Sequence, residues 1–376
     1  MRTSLLLVIL TVLALFYSQC KATDYLDELD VELISISAGV NYWEAFGHSA
    51  LRIKTKKNDF MYGFGYFNFN DEDFFLNFVK GQMNYFMGIE ASDIELDDYQ
   101  AQGRKIWSQR IVLSNKQKQQ LINKLSFLQK PENRYYHYDY FLNNCTTKIR
   151  DILDEISDGA ISQQLTSIDT NINWNNLTFP VNNQSWMNLG IAIAYGMPAY
   201  KNRNQWKLSI FPKTFSDDLA LINSPNIKIE PIRVLYQPSE IELSLIYYNF
   251  WQTHFAVLLI VILFIIFISI KLTRTISVNL WLILQSLLGF GLLMLWLFTQ
   301  HNVASPNSNL LLFFPLSFLL AFSKFRNIRI IYPLYMMNFI WLVLAILYTQ
   351  LYLIGFFIIN IYCLTILFIN NKQNKQ

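Results

Sequence analysis

The sequence has only three cysteines among 376 residues. Cys20 falls in a predicted leader and Cys363 in a predicted membrane span, so Cys145 is alone in the exported part and we expect no disulfide there. A lone thiol in an oxidising compartment is either buried and inert or chemically active. The polar neighbours in Asn-Asn-Cys-Thr-Thr favour the active alternative, and the buried one stays open.

Motifs for metal, nucleotide and cofactor binding are also missing. The chain has no paired cysteines, no His-Glu-x-x-His, no aspartate-rich calcium loop and no glycine-rich phosphate loop. We therefore predict that the protein uses no metal and no other cofactor. Acyl transfer through a cysteine thioester is chemistry that the remaining residues can support.

Acidic residues are absent from positions 255–376, so all 27 of them lie before that segment. The range 23–254 holds 21 basic residues, which gives a net charge of 21 − 27 = −6. An acidic domain of this kind is a poor ligand for nucleic acid. The overall composition, 53% hydrophobic and 16% aromatic, is typical of a protein that is partly in the membrane.

Targeting and topology follow from the apolar segments. Residues 1–22 have a basic start, an apolar core and a small residue at the end, which predicts a signal peptide, with an uncleaved anchor as the alternative. Lys and Arg lie only in the loops after the first, third and fifth C-terminal spans, and such loops are cytoplasmic. This pattern predicts that residues 23–254 lie outside the cytoplasm, which for a bacterial inner-membrane protein means a periplasmic N-terminal domain. The all-α membrane domain, 251–376, has predicted helices at 255–270, 280–298, 310–322, 330–348 and 351–369.

The exported part is predicted to be α+β, with a Cys/His catalytic domain at 23–160 and a periplasmic extension at 161–250. Alternation of apolar and polar residues predicts an antiparallel meander, while 94–102 is ambiguous. Strands are expected at 31–38, 46–55, 60–69, 82–88 and 106–113, and helices at 73–79, 114–128 and 186–195.

Cys145 begins a predicted helix that runs to Ile156. Asn144 is a natural N-cap, and apolar residues follow Cys145 at helical spacing. Unpaired N–H groups at a helix start favour a thiolate over a thiol and can form an oxyanion hole.

A nucleophilic cysteine needs an imidazole partner, and two histidines of the exported part compete for this role. His48 lies near a predicted strand start after a glycine, and we take it as the leading candidate. His137, eight residues before Cys145, is its rival. For either residue, a core histidine with a satisfied ring is the structural alternative.

Several stretches resemble the Lnb-type lipoprotein N-acyltransferases of bacteria. GHSALRI at 47–53, YGFGYFNFNDEDFFLNFVKGQMNY at 62–85 and YHYDYFLNNCTTKIRDIL at 136–153 resemble the periplasmic domain of that family, and FTQHNVASPNSNLL at 298–311 resembles its membrane part. A histidine strand followed by a cysteine helix is also similar to the circularly permuted papain-like fold shared with lecithin retinol acyltransferase.

These resemblances imply specific roles. Cys145 would be the nucleophile, His48 the base, and Tyr62 a candidate for a third polar group on a neighbouring strand. The acyl donor would be a membrane phospholipid and the acceptor the α-amine of a diacylglyceryl-cysteine lipoprotein, with the bilayer as platform. A periplasmic cysteine peptidase or amidase, a lipid hydrolase, and a non-catalytic membrane scaffold remain as alternatives.

Overall fold

The computed structural model describes residues 25–68, 70–181, 185–239, 258–348 and 353–373. The predicted leader, His254 and the first residues of the first predicted span lie outside these ranges. The described strands are β1 (Asp30–Ile36), β2 (His48–Lys54), β3 (Asp59–Tyr66), β4 (Asn84–Ala91), β5 (Ile106–Val112), β6 (Tyr135–His137), β7 (Lys228–Ile229) and β8 (Arg233–Tyr236).

These strands form one antiparallel sheet with the order β6-β4-β3-β2-β1-β5-β7, and β8 also pairs with β5. The helices that accompany the sheet are α1 (Phe74–Lys80), α2 (Ser92–Ala101), α3 (Asn115–Gln129), α4 (Cys145–Ile156), α5 (Ala160–Thr166), α6 (Trp174–Val181), α7 (Ser185–Ala194), α8 (Gln205–Leu208) and α9 (Pro212–Ala220).

Alternate residues of each strand point to opposite faces of the sheet. Both faces are buried, because each packs into its own hydrophobic cluster. Leu33 pairs with Leu51, and both belong to the core that also contains the apolar face of α4. Ile34 pairs with Ala50 on the other face, where α2 covers them. The catalytic helix predicted from sequence therefore lies on one face of the β2 strand that starts at His48.

Residues after 160 complete the same core. Phe215 and Leu219 of α9 are fully buried in the cluster that contains α4. The Ser35 hydroxyl donates to the backbone oxygen of Pro212 at 3.2 Å, which ties α9 to β1. Strand β8 extends the sheet at β5. Part of the predicted extension, 161–250, thus packs into the same core as α4.

The membrane domain contains α10 (Leu258–Ser269), α11 (Arg274–Phe298), α12 (Ile328–Leu347) and α13 (Ile354–Gln373). In the described residues three helices are long and apolar enough to cross a membrane, and α10 is shorter. The Nη2 atom of Arg326 donates to the Asn279 side chain at 3.0 Å, so the basic loop 323–327 lies beside the start of α11. Lys271 and Arg274 also lie at the start of α11, so these basic residues are at one end of the membrane domain, as the pattern of charged loops predicts.

The third predicted span is not an α-helix. Ser308–Leu311 and Pro315–Ala321 are 3₁₀ segments, and Pro315 begins the second of them. Residues 312–314 separate the two 3₁₀ segments, so the backbone of this stretch is irregular. Irregular backbone within a membrane domain needs hydrogen-bond partners inside the protein. Asn360 donates to the Leu312 carbonyl at 2.7 Å, and Ser286 accepts from the Phe318 N–H at 2.8 Å.

The two halves of the protein meet at the loop after α11, which we call the connecting loop (residues 299–307). The Gly196 N–H donates to the Val303 carbonyl at 2.9 Å, and the Asn307 amide donates to the Ala194 carbonyl at 2.9 Å. The connecting loop therefore lies on the side of the membrane that carries the sheet domain.

Candidate active site

A cavity of about 730 Å³ lies where the sheet domain meets the membrane domain. Its volume is in the range of small-molecule sites. Most of its walls are aromatic and aliphatic, and both His48 and Cys145 are among the lining residues. The membrane half contributes Leu295, His301, Val303 and Ala304. The cavity therefore requires both halves of the chain.

Asn144 fixes the position of Cys145 at the start of α4. Its Oδ1 accepts from the Thr147 N–H at 2.8 Å, which is an N-cap bond. Its amide nitrogen donates to the carbonyls of Tyr140 at 2.8 Å and Ile210 at 2.9 Å. The N-cap role predicted from sequence is present, and the same side chain also joins α4 to two loops.

The cap can be tested by substitution. We expect Asn144→Ala to lower the free energy of unfolding by about 2–4 kcal/mol, because the helix loses its cap and two buried carbonyls lose their donor. Ser114→Ala is the matched control, since Ser114 caps α3 in a capping box at an exposed position. The Ser114→Ala change should lower the free energy of unfolding by only about 0.5–1 kcal/mol. Unfolding of the full-length protein in detergent measures both, and equal losses would contradict the buried linking role of Asn144.

The Cys145 thiol lies against the ends of β2 and β3. The Ser49 hydroxyl is 3.0 Å from the Thr146 hydroxyl, and both residues are fully buried. Gly65 has a φ of +95°, and a Cβ there would lie 3.7 Å from the Cβ of Cys145. A glycine is favoured at this left-handed position. The backbone of β3 thereby passes directly beside Cys145.

Cys145 is held as a thiol rather than a thiolate. Burial raises the pKa of the thiol, although hydrogen bonding from the Ser49 backbone and from Thr146 lowers it in part. The thiolate predicted at the helix start is therefore wrong, because loss of hydration outweighs the N–H donors.

His48 is a neutral imidazole at the start of β2. Burial, and secondly the charge of Arg104, lower the pKa of His48 to about 3. Its Nε2 is buried without a hydrogen bond, and among the described residues no hydrogen bond joins the ring to Cys145. A neutral imidazole can accept a proton from a thiol. Both side chains line one cavity, and the pKa shifts favour the neutral form of each.

Three further residues surround His48 and were not identified from sequence. The Tyr66 and Tyr99 rings lie 6.2 and 6.4 Å from the imidazole, measured between centroids. Both phenols donate to the Oε1 atom of buried Glu95, at 3.2 and 3.0 Å. The i, i+4 spacing of Glu95 and Tyr99 is visible in the sequence, but their proximity to His48 depends on the sheet. The two tyrosine rings pack beside the imidazole, and Glu95 links their hydroxyl groups.

Two sequence candidates lie away from the cavity. His137 is exposed on β6 and is not among the lining residues. Tyr62 packs against the core shared with α4, likewise outside the lining. Its place as a third polar group beside His48 is therefore not supported, whereas the ring of Tyr66 on the same strand lies 6.2 Å from the imidazole.

The residues that the structure describes contain no group of three or more His, Cys, Asp or Glu side chains that could hold a metal ion.

The fold and site define a class of protein: a periplasmic α+β domain with an antiparallel sheet, joined to a helical membrane domain, with a cysteine and a histidine in the cavity between them.

Comparison with protein families identifies this class. Residues 16–178 match the family described as the Lnb N-terminal periplasmic domain, and residues 251–375 match the one described as the Lnb transmembrane domain. The chain belongs to the Lnb family. The prediction of a periplasmic domain followed by a multi-span membrane domain is confirmed. No curated protein and no solved structure matches the chain.

Proposed function

We propose that the protein is a lipoprotein N-acyltransferase with Cys145 as nucleophile and His48 as general base. The observation that carries this proposal is that both residues line an apolar cavity bounded partly by the membrane domain. A fatty acyl chain fits such walls, and a phospholipid is available at that boundary. Family membership supports the same conclusion.

In the first step, Cys145 attacks the ester carbonyl of a phospholipid. The Cys145 thiol proton passes to His48, the S–C bond forms, and the ester C–O bond breaks. The proton then goes to the leaving alkoxide, which departs as a lysophospholipid. Backbone N–H groups at the start of α4 and that of Ser49 interact with the Cys145 sulfur, and we assign them the further role of stabilising the tetrahedral oxyanion.

In the second step, the α-amine of a diacylglyceryl-cysteine lipoprotein attacks the thioester. The C–N bond forms, the C–S bond breaks, and His48 transfers the amine proton to the departing sulfur. Attack of water on the thioester would instead release a free fatty acid. An apolar cavity disfavours this hydrolysis, because it offers few polar groups that could hold a water molecule beside the thioester.

The fold proposed for the domain is a permuted papain-like fold. In that fold a strand with the histidine comes well before the helix that begins with the cysteine. Here β2 begins with His48, and α4, which begins with Cys145, follows much later in the chain and packs on the sheet. The proposal concerns the arrangement of these elements, and the reaction does not depend on it.

Formation of the thioester is the decisive test. Full-length protein in detergent, incubated with phospholipid, should gain the mass of one acyl chain, which hydroxylamine removes at neutral pH. A synthetic diacylated lipopeptide should also discharge it and become N-acylated. Discharge to free fatty acid alone would indicate a hydrolase, and the absence of any adduct would leave a peptidase, an amidase or a scaffold.

A further inference from the structure

Helix α1 exposes an unusually apolar surface. None of its residues is buried, and four large apolar side chains are exposed: Phe75 at 70%, Leu76 at 50%, Phe78 at 37% and Val79 at 58%. Contiguous apolar surface of this kind marks a contact with another molecule or with a membrane. Helix propensity alone does not require phenylalanine at these positions.

The position of α1 relative to the membrane identifies the contact. The Lys80 carbonyl accepts from the Gln300 N–H at 2.8 Å, and His301 Nε2 lies 3.1 Å from the Phe78 carbonyl. Only Thr299 separates Gln300 and His301 from Phe298, where the membrane-spanning helix α11 ends. Helix α1 is therefore at the level where α11 leaves the hydrocarbon core on the periplasmic side.

The length and flanking charges of α1 indicate that it lies in the interface. Seven residues extend about 10 Å, far short of a bilayer. Exposed acidic residues 71–73 precede it and exposed Lys80 ends it, which keeps both ends in water. A short helix with apolar side chains between charged ends is typical of a segment at the headgroup and acyl-chain boundary.

We propose that α1 is an interfacial helix that inserts Phe75 and Val79 into the periplasmic leaflet of the membrane. Phe74, Phe75 and Phe78 also line the Cys145 cavity, so the helix forms the wall between that cavity and the lipid. An acyl chain can then reach the cavity beside α1 without crossing water. The insertion itself does not depend on whether Cys145 reacts.

Spin labelling of the full-length protein in liposomes of phosphatidylethanolamine and phosphatidylglycerol tests the insertion. In a background with all native cysteines replaced by alanine, nitroxides are attached at Phe75→Cys, Val79→Cys and the control Phe60→Cys. Phe60 is also exposed, at 39%, but it pairs with Ala91 at the far end of β4. That end is about 23 Å along the strand from Asn84, which follows α1.

The measurement is relaxation of the nitroxides by oxygen, which concentrates in lipid, and by a water-soluble nickel chelate. We expect the ratio of oxygen to nickel relaxation to be several-fold higher at positions 75 and 79 than at 60. Ratios equal to that at position 60 would overturn the proposal. Protection from both reagents would also overturn it, because it would indicate a protein surface instead of lipid.

Discussion

Replacing Cys145 with alanine is expected to reduce N-acylation of a diacylated lipopeptide to less than about one-thousandth of the wild-type rate, as removal of a covalent nucleophile does. No other thiol among the described residues can replace it, because Cys363 is buried in the membrane bundle. The thioester adduct should disappear together with the transfer activity.

Two further variants control for indirect effects. Cys363→Ala removes the other described cysteine and should leave the transfer rate nearly unchanged, since it lies in the helix bundle away from the cavity lining. Cys145→Ser keeps the size of the side chain and should trap at most a slowly formed oxygen ester that resists hydroxylamine at neutral pH. Transfer by Cys145→Ala at a rate near wild type would place the nucleophile elsewhere.

Much of the fold is readable from local patterns. The α4 helix begins at Cys145 and ends at Ile156 as predicted, because its N-cap and its apolar spacing agree. Strand β5 covers Ile106–Val112, within one residue of the predicted 106–113. In these segments the sequence period, the capping residue and the buried face all favour the same structure.

Other features depend on tertiary contacts. The ambiguous segment 94–102 is mostly the helix α2, whose polar composition gives no clear apolar stripe. The third membrane segment is a 3₁₀ structure because side chains of neighbouring helices, such as Asn360, bond its backbone. The pKa of Cys145 is set by burial in a cavity formed by two domains, which no local motif reports.

The cluster around His48 illustrates the same limit within the site. Tyr66, Glu95 and Tyr99 come from a strand and a helix separated by nearly thirty residues, and only the packing of α2 on the sheet brings them to the imidazole. The resemblance suggested Tyr62, four residues earlier on the same strand. Strict alternation would put Tyr62 and Tyr66 on one face, but the strand register shifts between Phe64 and Tyr66, and sequence patterns do not reveal such an irregularity.

Substitution of His48 is expected to lower the transfer rate by about 100- to 10,000-fold, the usual contribution of a general base. The rate at which phospholipid acylates Cys145 in the wild-type protein, measured without the amine acceptor, should stay nearly constant from pH 8 down to pH 5. The reason is that the pKa of His48 is lowered to about 3, so protonation removes the base only as the pH falls toward that value. An exposed histidine would instead lose half of its activity near its ordinary pKa of about 6.5.

The His48→Ala variant separates this mechanism from a preformed ion pair. Without a base, the residual reaction depends on the small thiolate fraction of Cys145, and that fraction rises about tenfold per pH unit below the thiol pKa. Burial raises this pKa, so the rate of the variant should still be climbing above pH 8. The rival His137→Ala, exposed on β6, should keep the flat wild-type profile. If His137→Ala shows the climbing profile and His48→Ala stays flat, His137 is the base and the arrangement proposed for the dyad is wrong.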